Sequence, residues 1–238
     1  MSNDTTVRCS IGGCSCSSSS AEEKPFHVKW QGAQRDVLGG DIRGHVDLEP
    51  LAALENLYGL GPLEEVKGEI TIIDSAATVA RVADDGGIAI TTGFSHRACF
   101  LVYSQVQRWQ KVVLPEEVID EKTLETALPQ LAAEYGIDSS LPFPFLLRGQ
   151  PDRLVFHVLN KTDGLTHSPE LHEKAKIKFT LEDTGIEVIG FYSSAHRGIF
   201  TPGHSAIHIH VRSKDGLASG HVDTLSFPGG IDLFLPFA

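Results

Sequence analysis

The stretch AHRGIFTPGHSAIHIHVRSKDGLASGHVD, residues 195–223, holds five of the chain's eleven histidines. Inside it, Ile207, Ile209 and Val211 alternate with His208, His210 and Arg212, the period of two that marks a strand with one apolar face. SKDGLASG supplies turn residues, and HVDTLSF from His221 onward reads as a second strand, so the segment is expected to be an antiparallel hairpin. On such a hairpin His208 and His210 point to one side about 7 Å apart, and His221 arrives opposite them from the neighbouring strand. Three neutral imidazoles, each about 2 Å from a divalent ion with a fourth position left open, are the plan of a catalytic zinc site. Asp223 and Ser226 are placed to accept an imidazole N–H. Taken singly, each histidine reads as an ordinary strand or surface residue; three on one hairpin, with apolar residues between them, point to a metal. His196 and His204 fall in the preceding loop with Gly198, Pro202 and Gly203.

Working outward, PFLLRG, RLVFHVLN, AKIKFTLED, IEVIGFYSS and IDLFLP share the β-branched and aromatic character of the hairpin, and they make the second half of the chain nearly all strand. The first half is mixed. VKGEITIID, TVARVAD and GIAITT form a meander, preceded by a short strand in FHVKWQG. EPLAALENLYGLG carries Leu51, Leu54 and Leu57 at helical spacing and leads to a turn at Gly61-Pro62, so a short helix is expected there. Cys99 to Val113 reads as one long strand, and DEKTLETALPQLAAEYG as a helix that Pro129 would kink or split. The expectation is an α+β fold of two β-rich layers or subdomains with few helices. Residues 1–24, rich in Ser, Gly and Cys, form a flexible extension. Residues 25–238 form the domain, with a possible subdivision near residue 140.

A formal net charge of −11 from 31 acidic and 20 basic residues, with the basic ones scattered, repels nucleic acid and anionic membrane surfaces. No apolar run approaches the roughly 18 residues that a span requires. The N-terminus lacks a basic leader and an apolar segment, which favours the cytoplasm. Three of the four cysteines, Cys9, Cys14 and Cys16, crowd into the tail. That is no disulfide scaffold, and without a nearby histidine it reads as a tail rather than a metal clip. In so acidic a chain, an anionic substrate needs local positive charge, which a divalent cation supplies.

YGLGPLEEVKGEITIID, PFPFLLRGQ and IGFYSSAHRGIFTPGHSAIHIH with the later GHVD together resemble the α-acetolactate decarboxylase family over most of the chain after about residue 50. The resemblance implies that family's fold and a zinc ion, or another divalent metal, on His208, His210 and His221. It also implies a catalytic carboxylate at Glu69, a homodimer, and a small anionic hydroxy-keto acid as substrate: 2-acetolactate, decarboxylated to acetoin. The metal would act as a Lewis acid on the electron density left by departing carbon dioxide, and a positioned acid would return a proton. The chain departs from the pattern at three places. Pro62 stands where the family has threonine. His157 aligns with the arginine that contacts substrate, leaving Arg148 and Arg153 as nearby replacements. A glutamate that the family draws from beyond the LFLP-like element has no counterpart before Ala238. These departures keep open a relative acting on another hydroxy- or keto-acid, or a metal-binding protein without turnover.

Overall fold

The hairpin forms as its alternation requires. Strand β14 (Ile207–Ser213) and strand β15 (Ser219–Ser226) pair antiparallel with His210 opposite His221. This computed structural model describes residues 26–164, 166–227 and 229–237; the Cys9, Cys14 and Cys16 cluster lies outside them. In chain order the remaining elements begin with β1 (Lys29–Gln31), α1 (Gln34–Leu38), β2 (Val46–Asp47), β3 (Leu57–Pro62), β4 (Glu69–Ile73) and β5 (Ala76–Val82). Next come β6 (Ile88–Thr92), β7 (Arg97–Ala98), β8 (Leu101–Gln105), β9 (Trp109–Val112) and α2 (Glu121–Glu134). After these follow β10 (Phe143–Gly149), β11 (Arg153–Leu159), α3 (Pro169–Ala175), β12 (Lys176–Leu181), β13 (Ile186–Tyr192) and β16 (Ile231–Pro236).

Two large antiparallel sheets result. The smaller runs β1-β8-β3-β4-β5-β6 and the larger β12-β11-β15-β14-β13-β10-β16-β9. Strictly alternating strands have two usable faces, and the larger sheet uses both. Ile207, Ile209 and Val211 turn to one side and join Leu124, Leu128 and Leu131 of α2, together with Phe143, Phe145 and Phe156, in a continuous apolar core. Leu146, Ile189 and Phe191 turn to the other side, where Tyr58, Leu60 and Val102 of the smaller sheet meet them. The histidines share that second side and so sit in the seam between the sheets. With few helices and two β layers, the observed architecture is the expected α+β one.

Three local expectations fail for tertiary reasons. Only Glu49–Ala53 of the expected helix is helical, as a 3₁₀ turn. Leu57–Pro62 is a fully buried strand in the smaller sheet, paired on both edges, because burial on both faces outweighs the helical spacing of three leucines. The expected long strand at Cys99–Val113 is two strands. β8 pairs with β3 in one sheet and β9 with β16 in the other, so the chain changes sheet around Val106–Arg108. Pro129 does not split α2, which runs unbroken for 14 residues behind an Asp120 cap that accepts from the Thr123 N–H.

Candidate metal centre and active site

His208 and His210 are fixed by backbone carbonyls. The Nδ1–H of His208 donates to the Phe200 carbonyl at 2.7 Å, and the Nδ1–H of His210 to the Ile70 carbonyl at 2.9 Å. A carbonyl oxygen can only accept, so both rings carry their proton on Nδ1 and present an Nε2 lone pair to the seam. His210 Nε2 is buried without a hydrogen-bond partner, the state in which a ring nitrogen is costly unless a cation takes it. Nδ1 of His221 lies 3.0 Å from Nε2 of His208. Two ligands of a tetrahedral zinc stand about 3.3 Å apart, given Zn–N bonds of about 2.0–2.1 Å. The three ring nitrogens all fall within 4.8 Å of one another. Burial pushes His208 down to about 4 and the imidazoles of His210 and His221 well below the ordinary histidine range. All three are therefore neutral at pH 7, as ligation demands. The donor set fits a divalent metal.

Next to the trio stands a second group that the fold brings in from both sheets. Glu69 opens β4 and is 2% exposed. Its Oε2 lies 3.6 Å from Nε2 of His210 and its Oε1 3.9 Å from Nε2 of His157. Burial raises its carboxyl well above the usual range, which favours the protonated form. His157 on β11 is the register partner of His221, and its Nδ1–H donates to Oδ1 of Asp223 at 2.8 Å. Burial lowers the His157 imidazole despite that carboxylate. The ring is thus neutral and oriented, with its Nε2 lone pair toward the seam.

Asp223 reaches this position at a β-bulge, where the pairing of β11 with β15 shifts between Val155 and Phe156. As expected it accepts an imidazole N–H, and the ring is that of His157 rather than one of the trio. Ser226 is at the far end of β15, opposite Arg153 and exposed.

Two glycines make the approach possible, each one residue before a site residue. Gly68 has φ +145°, and a Cβ there would meet the Ala80 carbonyl at 2.5 Å. At Gly220 a Cβ would meet the His157 carbonyl at 2.5 Å. Side chains at either place would push Glu69 or His221 off its strand neighbours.

An open cavity of about 450 Å³ lies over the group, lined among others by Glu69, His157, Lys176, His208, His221 and Asp223. Of the sequence-predicted residues, the structure thus gathers His208, His210, His221, Glu69 and His157. It does not gather the arginines. Arg148 pairs through Nε with Oε1 of Glu187 at 3.0 Å, and its guanidinium lies 5.5 Å from the Phe234 ring centre. Arg153 is held by Glu182 at 3.5 Å on the exposed side of β11. His196 packs on Phe200 and Trp30, and His204 is an exposed residue at the cavity rim. Lys176 was not singled out from the sequence, since its place depends on which strand pairs with β11.

Solved structures show this two-sheet α+β architecture to be the acetolactate decarboxylase fold. A protein of unknown function from Staphylococcus aureus, described as similar to alpha-acetolactate decarboxylase, matches with a TM-score of 0.69 at 13% identity, over 87% of this chain and 84% of its own. Alpha-acetolactate decarboxylase from Bacillus subtilis strain 168 matches with a TM-score of 0.69 at 14% identity, over 87% of this chain and 83% of its own. The enzyme from Bacillus subtilis subspecies spizizenii matches with a TM-score of 0.69 at 14% identity, over 89% and 86% respectively. The sequence matches no protein-family model and no curated protein. At these identities the likeness establishes the fold.

Proposed function

We propose that this protein is a metal-dependent carboxy-lyase that decarboxylates 2-acetolactate to acetoin, with zinc or another divalent ion on His208, His210 and His221. The observation that carries this reading is the meeting of three imidazoles, their ring nitrogens within 4.8 Å of one another, with the buried carboxyl of Glu69 3.6 Å from His210 Nε2. A divalent ion held by the trio supplies Lewis-acid stabilisation of negative charge as it develops on substrate oxygens. The rest of the work belongs to the chain.

Decarboxylation breaks a carbon–carbon bond, releases carbon dioxide and leaves an electron pair that must take up one proton. Glu69 is the group suited to deliver it, because it lines the cavity beside the trio and its burial favours the protonated form. His157, with Nδ1 committed to Asp223, turns Nε2 toward Glu69 Oε1 at 3.9 Å, a gap that one water would bridge; the lost proton returns from water in the open cavity. A ring held neutral by burial is a poor partner for a substrate carboxylate, so His157 is a positioning and proton-handling residue in this scheme. Arg148, engaged with Glu187, takes no part in it.

The test is direct. Metal-loaded protein incubated with racemic acetolactate is expected to form acetoin, and the His208→Ala protein is expected to form none above background. Equal, background-level product from both would remove the proposal. One observation favours a second reading, in which the same centre acts on another hydroxy- or keto-acid: among the described residues no arginine lines the cavity. Under it, a panel of related keto-acids would be turned over where acetolactate is not.

A further inference from the structure

Four carboxyl side chains and two lysines line the cavity, and the carboxylates at its mouth are already engaged. Glu121 accepts from the Leu225 N–H at 2.7 Å. Glu125 accepts from the Ala206 N–H and the Ser205 hydroxyl, both at 2.7 Å. Asp223 accepts from His157. Besides a divalent ion on the trio, the positive charge that an incoming anion meets comes from the lysines that line the cavity, Lys122 and Lys176.

Lys122 is exposed on α2, whereas Lys176 is the one that the fold aims inward. It opens β12, the edge strand beside β11, where Lys176 pairs with Leu159 and Lys178 with His157. Cross-strand partners share a face, so both lysines leave the strand on the side that carries His157. Lys178 stays 63% exposed, 3.8 Å from Oδ2 of Asp223. Lys176 is only 20% exposed and lines the cavity.

Its ion-pair partner lies outside. Nζ of Lys176 sits 2.6 Å from Oε1 of Glu173, a side chain that is 69% exposed and does not line the cavity. A pair with so exposed a partner contributes little, so little is lost when the ammonium turns from Glu173 to a ligand. A carboxylate in the cavity offers the same hydrogen bond in a drier setting, where it is worth more.

We propose that Lys176 is the substrate-carboxylate anchor of this cavity, released from Glu173 as a small 2-hydroxy or 2-keto monocarboxylate enters. The assignment rests on the functional reading above for the reaction, but carboxylate binding can be measured without turnover.

The experiment uses the full-length, metal-loaded protein, with metal content verified for every variant. Calorimetry compares 2-hydroxy-2-methylpropanoate with its neutral amide, which has the same shape. Lys176→Met is expected to weaken carboxylate binding at least tenfold while leaving amide binding unchanged; Lys176→Arg is expected to restore most of the loss, and Lys178→Met to change it less than twofold. In turnover, Lys176→Met raises KM with little change in kcat.

No carboxylate binding by the unaltered protein, equal loss for carboxylate and amide, or an effect of Lys178→Met as large as that of Lys176→Met would each overturn the anchor. Lys176-dependent carboxylate binding without any acetoin formation would sink the decarboxylase reading and leave the anchor standing. Acetoin formation with an unchanged KM in Lys176→Met would do the reverse.

Discussion

The β14–β15 hairpin and the neighbouring β11–β12 pair face the same cavity but are built on opposite principles. On the hairpin, His208 and His210 are buried, neutral and tied to the carbonyls of Phe200 and Ile70. No charged side chain is needed to orient them, and backbone partners leave them little freedom. On β11–β12, His157 is oriented by the carboxylate of Asp223, and Lys176 by an exposed glutamate. One side is preorganised for a cation. The other is a set of charges that can exchange partners, which suits a ligand that comes and goes. The difference teaches that burial alone does not define the centre; what matters is whether backbone or side chains hold each ring.

The largest expected effect comes from the group between the two sides. Glu69→Gln keeps the shape and the burial but removes the acidic proton. Metal content should stay at the level of the unaltered protein while kcat falls by about 10²–10³-fold, within the range for a general acid. A variant with near-normal kcat would take Glu69 out of the chemistry.

Acid stability tests the hairpin side. His208 is held at about 4 by burial, against about 6.5 in the unfolded chain. Between these values the unfolded state binds the proton and the folded state does not, so folding stability rises with pH through the window. In the metal-free protein the stability that His208 contributes is complete above about pH 6.5 and is lost as the pH falls toward 4, by up to roughly 3 kcal/mol for a shift of that size. Denaturant midpoints measured across the window should slope less in His208→Gln than in the unaltered protein. Identical slopes would contradict a buried neutral ring.

A smaller effect is expected on the β11 side. Asp223→Asn leaves the three metal ligands untouched and removes only the charge that orients His157. We expect kcat to fall about tenfold with full metal retention, and the pH dependence of kcat to shift, because the fixed tautomer of His157 is lost. Metal loss in this variant would mean that the two sides are not separable.

The same contrast explains what the sequence could reveal. The hairpin side was legible because alternation, a turn and three histidines lie within one local stretch, and local patterns survive folding. Glu69 and His157 were reachable only through the family likeness, since nothing in KGEITIID or RLVFHVLN says that β4 will cross the seam to meet β11. Lys176 was illegible: in AKIKFTLED it is one of two lysines, and only the register of β12 against β11 separates it from Lys178.

Leu57–Pro62 was misread because two-sided burial, a tertiary effect, overrides leucine spacing. The switch of sheets after Gln105 was missed because both halves of the stretch are equally β-prone. Helix α3 did carry a signal that went unused: Ser168 followed by Pro169, a cap and a first-turn proline.

The central claim is that His208, His210 and His221 hold a divalent metal, and elemental analysis with cobalt substitution tests it most directly. The unaltered protein should retain about one equivalent of zinc per chain and, with cobalt in its place, give the intense visible absorption of a low-coordinate site with nitrogen ligands. His208→Ala/His210→Ala should retain under about a tenth of an equivalent and give no such band. Metal retained in the double variant, or under about half an equivalent in the unaltered protein after mild purification, would contradict the account.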